Sequence, residues 1–155
     1  MSEDIWAPFR ALVGSWVGEA SGHPGHGRQE RRYEFILRGR FLMCTNKTVW
    51  EPTPENKDGE VHEDIAIISL DRGAKRFRMR SFYVESFFSE YECREIRDDA
   101  RTFVFVADAV ENGPAGMRAR DTLRVLGDDR FSSTFEIAMP GKDFALYTED
   151  LLRRR

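Results

Sequence analysis

The sequence predicts an all-β chain: a single closed antiparallel up-and-down β-barrel of about ten strands, with a short N-terminal helix covering one mouth. Three observations predict it. Short runs rich in Phe, Val, Ile, Thr, Tyr and Trp, the residues that suit a half-buried pleated surface, follow one another along the chain. Each run closes on turn chemistry supplied by Gly, Pro, Asn or Asp, and no helical crossover separates any two. A flat sheet of that many strands would twist strongly and leave two open edges, which closure removes.

The helical signal is confined to the start, where Ile5, Trp6, Phe9, Leu12 and Val13 recur at helical spacing. A short helix or turn there buries Trp6 and Phe9 across a barrel mouth. The first strand run is Gly14 to Gly22, followed by a glycine-rich loop, His23-Pro24-Gly25-His26-Gly27. Arg31 to Leu37 ends at Arg38-Gly39, and Arg40 to Glu51 ends at Pro52-Thr53-Pro54. Glu60 to Leu70 stops at Asp71-Arg72-Gly73, and Arg76 to Glu85 passes through Ser86 into Phe87 to Ile96. Thr102 to Val110, Met117 to Leu126, Phe131 to Met139 and Phe144 to Leu152 complete the series.

With 155 residues and no internal repeat or composition break, residues 1–155 form one domain. A hydrophobic content of 41% beside 33% charged residues excludes a disordered chain and a membrane protein. The formal net charge of −3 gives no general pull toward nucleic acid. No stretch approaches the roughly 18 uninterrupted apolar residues of a spanning helix, so no membrane insertion is expected. Met1-Ser2-Glu3-Asp4 is acidic, unlike a signal peptide, which points to the cytoplasm. Cys44 and Cys93 then read as reduced, buried strand thiols. The C-terminal Arg153-Arg154-Arg155 reads as a solvated tail or as a stacking partner for an aromatic ring.

Metal and nucleophile chemistry find little support. His23 and His26 lack a third ligand, the cysteines form no C-x-x-C pair, and no G-x-S-x-G elbow is present. His62, at the start of a run, reads as a satisfied edge histidine.

Alternation assigns the faces. Tyr33, Phe35 and Leu37 share one side, as do Phe77 and Met79, then Met117, Ala119, Leu123 and Val125, then Phe131, Phe135, Ile137 and Met139. Arginine, serine, threonine and glutamate occupy the opposite sides, so the interior is expected to be aromatic and apolar. A few polar residues fall in phase with that face: Asp121 between Ala119 and Leu123, and Ser81, Tyr83 and Glu85 beyond Phe77 and Met79. Tyr91 continues the face of Phe87. A carboxylate in such a wall needs a partner or a raised pKa, which marks a ligand site; a strand end or a bulge gives the structural alternative. Arg80 stays open: alternation sets it outside with Arg76 and Arg78, yet Phe82 and Val84 on that face suggest a change of phase.

Leu12-Val13-Gly14-Ser15-Trp16-Val17-Gly18-Glu19 turns sharply into the first strand and offers Trp16 as a plug for the narrow end. At these residues the sequence resembles the lipocalin and fatty-acid-binding (calycin-like) barrels, whose first strand opens with G-x-W. The longer stretch, with Gly22 and Pro24, looks like the haem-binding, nitrobindin-type branch. Gly39-Arg40-Phe41-Leu42, His62-Glu63-Asp64 with Ile68-Ser69-Leu70-Asp71, and Met79-Arg80-Ser81-Phe82 look like a related bacterial family of unknown function. The resemblance implies a ten-stranded barrel around a cavity for a small, largely apolar molecule. Nitrobindin-type barrels hold haem iron through a histidine near the C-terminus, and none occurs from Met117 to Arg155. No cofactor is therefore expected, and haem is disfavoured; Cys93, Tyr147 or Met139 as iron ligands have no motif behind them.

The leading functional expectation is a binding protein for a small hydrophobic or amphipathic molecule. Its candidate lining residues are Trp16, Phe35, Met43, Met79, Arg80, Tyr83, Glu85, Tyr91, Asp121 and Phe135. The alternative is a barrel isomerase, cyclase or lyase that uses Tyr83, Glu85 or Asp121, with Asp64 a further acid–base candidate, provided Glu85 and Asp121 share one cavity. A homodimer formed through an outer face also stays open, with Trp50, Phe82 and Val84 as its exposed apolar residues.

Overall fold

The computed structural model describes residues 4–155, so the acidic start Met1-Ser2-Glu3 lies outside the described residues. A 3-10 helix, Ala7–Leu12, precedes eleven strands. These are β1 (Gly14–Gly22), β2 (Gly25–Ile36), β3 (Phe41–Trp50), β4 (Glu60–Asp71), β5 (Arg76–Tyr83) and β6 (Phe88–Arg97). After them come β7 (Thr102–Ala107), the two-residue β8 (Val110–Glu111), β9 (Arg118–Val125), β10 (Arg130–Ala138) and β11 (Ala145–Arg154).

Every pairing is antiparallel. The strand order β5-β4-β3-β2-β1-β11-β10-β9-β7-β6 returns to β5 through a β5–β6 pairing, which closes a ten-stranded barrel. The short β8 continues the line of β7 and pairs with the start of β6 at Ser89↔Val110. The expected all-β barrel is the fold found.

Most of the stretch read as a glycine-rich loop, Gly25 to Gly27 out of His23 to Gly27, is strand. His23-Pro24 alone makes the turn, and β2 begins at Gly25, with Gly27 paired to both Ala20 and Trp50. Glycine is needed here because a Cβ at Gly27 would lie 2.8 Å from the Val49 carbonyl oxygen and 3.0 Å from the Trp50 ring. Gly18 has the same cause in β1, where an added Cβ would meet the Leu151 carbonyl oxygen at 1.9 Å. Both glycines allow the neighbouring strand's backbone to come close.

One end of the barrel is packed solid. Phe9, from the 3-10 helix, is fully buried, stacked on Phe103 at 4.7 Å between ring centroids and edge-on to Phe77 at 4.8 Å. Trp6 sits 5.5 Å from Phe35, and Leu12 completes the plug. Burying side chains of this size stabilises by roughly 1.5–3 kcal/mol each. Trp16 locks the helix to the barrel: its Nε1 donates to the Leu12 carbonyl at 2.8 Å, and its ring meets Phe131 edge-on at 4.6 Å. Arg154 lies over the Trp16 ring at 4.2 Å and donates to the Ala11 and Val13 carbonyls, so this part of the C-terminal arginine run is a stacking partner.

The inward faces of β2, β5, β9 and β10 are those alternation assigns, with Leu37 and Met139 exposed in turns. Cys44 and Cys93 are both free and buried; burial pushes their thiols up to about 12 and about 11. Three expectations are corrected. Arg80 points outward, where it donates to Ser69 Oγ and pairs with Glu90. Met43 occupies the outer face of β3, out of phase with the inward Leu42 and Cys44. Of the three residues named for an outer-face contact, Phe82 and Val84 are exposed, but Trp50 is only 7% exposed, because it ends β3 on the inward side.

Candidate functional site

The other end of the barrel holds a cavity of about 390 Å³. It opens where β1 turns into β2 and β5 into β6, as Pro24, Phe87, Val110 and Met117 in its wall show. Depth follows strand position. Along β2 the inward residues run from Gly27 through Gln29 and Arg31 to Tyr33, and along β3 from Trp50 through Thr48 and Asn46 to Cys44. Met79, Leu123 and Cys44 make the floor above the packed end, while Trp50, Phe87, Phe135 and Tyr147 stand toward the opening.

Between floor and rim the wall is polar on eight strands. Arg31, Asn46, Asp64, Ser81, Ser89, Asp121, Ser133 and Asp150 each face the cavity from a different strand, and β1 and β7 contribute no lining residue. The interior is therefore apolar only in its packed half. Ser81 and Asp121 were among the few polar residues expected on the inward face; the belt extends well beyond them and corrects the expectation of an otherwise aromatic and apolar lumen.

Arg31 is the hub of one side of the belt. Its Nη2 donates to Asp150 Oδ2 at 2.9 Å, to Gln29 Oε1 at 2.9 Å and to Ser133 Oγ at 3.0 Å. Ser133 donates onward to Asp150 Oδ2 at 3.0 Å, and Gln29 Nε2 to Thr48 Oγ1 at 2.9 Å. Burial works against the guanidinium charge, but the acidic groups around it, Tyr33, Cys44, Asp150 and Asp121, hold Arg31 above its ordinary value. It is a permanent cation.

His62 is the hub of the other side. Its Nδ1 lies 2.7 Å from Glu85 Oε1 and its Nε2 3.0 Å from Asp64 Oδ2, and Asn46 Nδ2 donates to that same Asp64 oxygen at 3.0 Å. Carboxylates only accept, so both ring nitrogens donate when the imidazole is protonated. Burial disfavours that charge, yet the bonds to Asp64 and Glu85 prevail and push His62 up to about 9. The histidine is satisfied, but inside the barrel rather than at an edge. Deeper, the Tyr83 and Tyr91 hydroxyls share a hydrogen bond of 2.8 Å, and burial pushes both phenols up.

Asp121 differs from the other carboxylates. Half-buried on β9 and set opposite Phe105 and Phe135, it has no hydrogen-bond partner and no ion pair among the described residues. Burial pushes its carboxyl from 3.8 up to about 7; Arg31 opposes the rise, and Asp150 and Asp64 add to it. A group titrating there can give or take a proton near neutrality.

Of the ten candidate residues, Met79, Tyr83, Glu85, Asp121 and Phe135 line this cavity. Trp16, Phe35 and Tyr91 face inward but lie in the packed part, and Met43 and Arg80 are outside. Asp64 joins the cavity as well. Sequence reasoning missed Arg31, Gln29, Ser133 and Asp150. For Gln29 and Arg31 the signal was present in the alternation Gln29-Arg31-Tyr33 against Arg28-Glu30-Arg32, once β2 is extended back through its glycines; Ser133 falls in the inward phase of β10, between Phe131 and Phe135.

Of the side chains considered for haem iron, Cys93 lies off the cavity and donates to the Glu95 carbonyl, and Met139 is exposed. Tyr147 lines the cavity toward its opening, with its ring stacked on His23 at 5.1 Å, and both His62 nitrogens are occupied by Asp64 and Glu85. Among the described residues no group of three or more His, Cys, Asp or Glu is arranged to hold a metal ion, and no helix is long and apolar enough to cross a membrane.

The chain is thus a closed ten-stranded antiparallel barrel, plugged at one end and polar-belted around a cavity at the other. No family model matches the sequence, and no curated protein does. Among solved structures the chain is similar to Rv2717c from M. tuberculosis, with a TM-score of 0.69 and 15% identity over 100% of this chain and 99% of that one. It is also similar to the S-type phycobiliprotein lyase CPES from Guillardia theta (TM-score 0.56, 11% identity, 95% of this chain and 89% of that one). A third neighbour is EF1p2_mFAP2b bound to DFHBI (TM-score 0.50, 7% identity, 98% and 100%). At these identities the likeness is one of fold.

Proposed function

We propose that this protein binds a small amphipathic organic molecule in the barrel lumen. One observation carries the reading: a cavity of about 390 Å³ whose apolar floor and aromatic rim enclose polar side chains from eight strands. Pockets of this size and mixed lining suit a small organic guest, with the polar groups fixing its orientation. The neighbour bound to DFHBI is a barrel of similar fold with a small molecule, which supports the reading by analogy.

Titration with Nile red, a neutral lipophilic dye, tests it. Saturable binding with one site per chain is expected, and Ser81→Phe, which projects a ring from β5 into the lumen, is expected to weaken it by about tenfold or more. Absence of saturable binding, or binding indifferent to the filled lumen, overturns the proposal.

A second reading is favoured by the convergence of Tyr83, Glu85 and Asp121 on the same cavity, the condition set for an isomerase, cyclase or lyase. Asp121, near 7, is suited to proton transfer. Its expected sign is a molecule retained on purification that is converted at pH 7 by the protein and left unconverted by Asp121→Asn. A retained molecule that is never converted removes this reading.

A further inference from the structure

We infer that the guest's polar end is a cation, a protonated amine or a comparable organic nitrogen, seated against Asp121. The inference rests on the lumen-binding reading and adds the chemistry of the ligand. Five carboxylates line the cavity, Glu60, Asp64, Glu85, Asp121 and Asp150, against two cations, Arg31 and His62. Both cations are committed. Nη2 of Arg31 is held by Asp150, Gln29 and Ser133, and His62 spans Asp64 and Glu85. The ion pairs within the belt therefore close on themselves and leave Asp121 without a donor among the described residues.

An unpartnered carboxylate in an enclosed wall is costly, and a guest that brings both a hydrogen-bond donor and a positive charge removes that cost. Enclosure strengthens the attraction, because water screens it less than at the surface. An anionic head would enter a lumen already rich in carboxylates and gain no cation that is free of partners. The surroundings of Asp121 also describe the body attached to the charge. Leu123 lies one inward position deeper on β9, and Phe135 stands directly across on β10, so a short aromatic or aliphatic group fits beside the ammonium.

Three dansyl probes matched in chain length test this at pH 8: dansylcadaverine (cation), N-dansylhexylamine (neutral) and N-dansyl-6-aminohexanoate (anion). The cation is expected to bind about tenfold or more tightly than the anion, with the neutral probe between them. Asp121→Asn is expected to reduce the cation's advantage to about threefold or less and to leave neutral binding within about twofold; Asp121→Ser serves as a second variant should the first fold poorly. Equal or tighter binding of the anion overturns the inference, and so does a cation preference that survives both variants. In those cases neutral binding persists and the lumen reading stands. Failure of all three probes to bind saturably overturns the lumen reading, and this inference with it.

Discussion

Arg31→Met is expected to destabilise the protein by about 3–5 kcal/mol, the largest single effect the site predicts. Arg31, on β2, and Asp150, on β11, face each other across β1, and both are buried. Removing the guanidinium leaves Asp150 with only the Ser133 hydroxyl as a donor and frees the Gln29 amide oxygen as well. Most of the loss comes from that stranded carboxylate rather than from the pair's net worth. Asp150→Leu alone is expected to cost a similar amount, because it leaves the cation unpaired. The double variant, Arg31→Met with Asp150→Leu, is expected to recover most of the stability, since two apolar side chains replace two charges in a wall that is apolar just below. For a chain of this size the single change lowers Tm by roughly 6–20 °C, from about 2–4 °C per kcal/mol. Urea unfolding followed by circular dichroism, run as a double-variant cycle, measures it. Additive losses in the double variant would show that the two side chains act independently.

The buried pair also marks where sequence reading stopped. Alternation identified the inward side of β5, β9 and β10 because Phe77-Met79, Ala119-Leu123 and Phe131-Phe135-Ile137 each keep one phase of a period of two, with Asp121 and Ser133 as polar residues in that phase. It failed on the first half of β2, where His-Pro-Gly-His-Gly has the composition of a loop although two of its glycines serve close contacts within the wall. With that half lost, Arg31 became the first residue of a run, and its inward phase went unnoticed. Period alone also says nothing about depth. Trp16, Phe35 and Tyr91 face inward as alternation requires, but they lie below the cavity, whose position depends on how far the 3-10 plug reaches into the barrel. Phase within β3 was misjudged at Met43, because Phe41, Leu42 and Met43 are consecutive apolar residues and fit either face. Asp121 was legible because one carboxylate interrupted an otherwise apolar face.

Asp121→Asn is expected to stabilise the protein above neutrality by roughly 2–4 kcal/mol and to leave it nearly unchanged near pH 4. In the folded chain the carboxyl titrates at about 7, against 3.8 in the absence of its surroundings. The folded state thus holds the proton more tightly than the unfolded chain. The resulting stability is fully present below 3.8, falls as pH rises between 3.8 and about 7, and is gone above it. Asparagine is neutral throughout, so its advantage over the parent grows across that same window. His62 places a second decline higher: raised from 6.5 to about 9, it contributes stability that is complete below 6.5 and lost as pH climbs to about 9. Asp121→Asn removes the lower step and His62→Gln the upper one, which separates the two groups. Thermal unfolding of parent and variants from pH 4 to pH 9 gives the difference directly, and a pH-independent Asp121→Asn difference would show that the carboxyl is not perturbed. A carboxylate that weakens the fold at neutral pH is what a ligand site tolerates when the guest supplies the missing charge. A cationic guest held by Asp121 should therefore stabilise the parent more at pH 8 than at pH 5, and the Asn variant about equally at both.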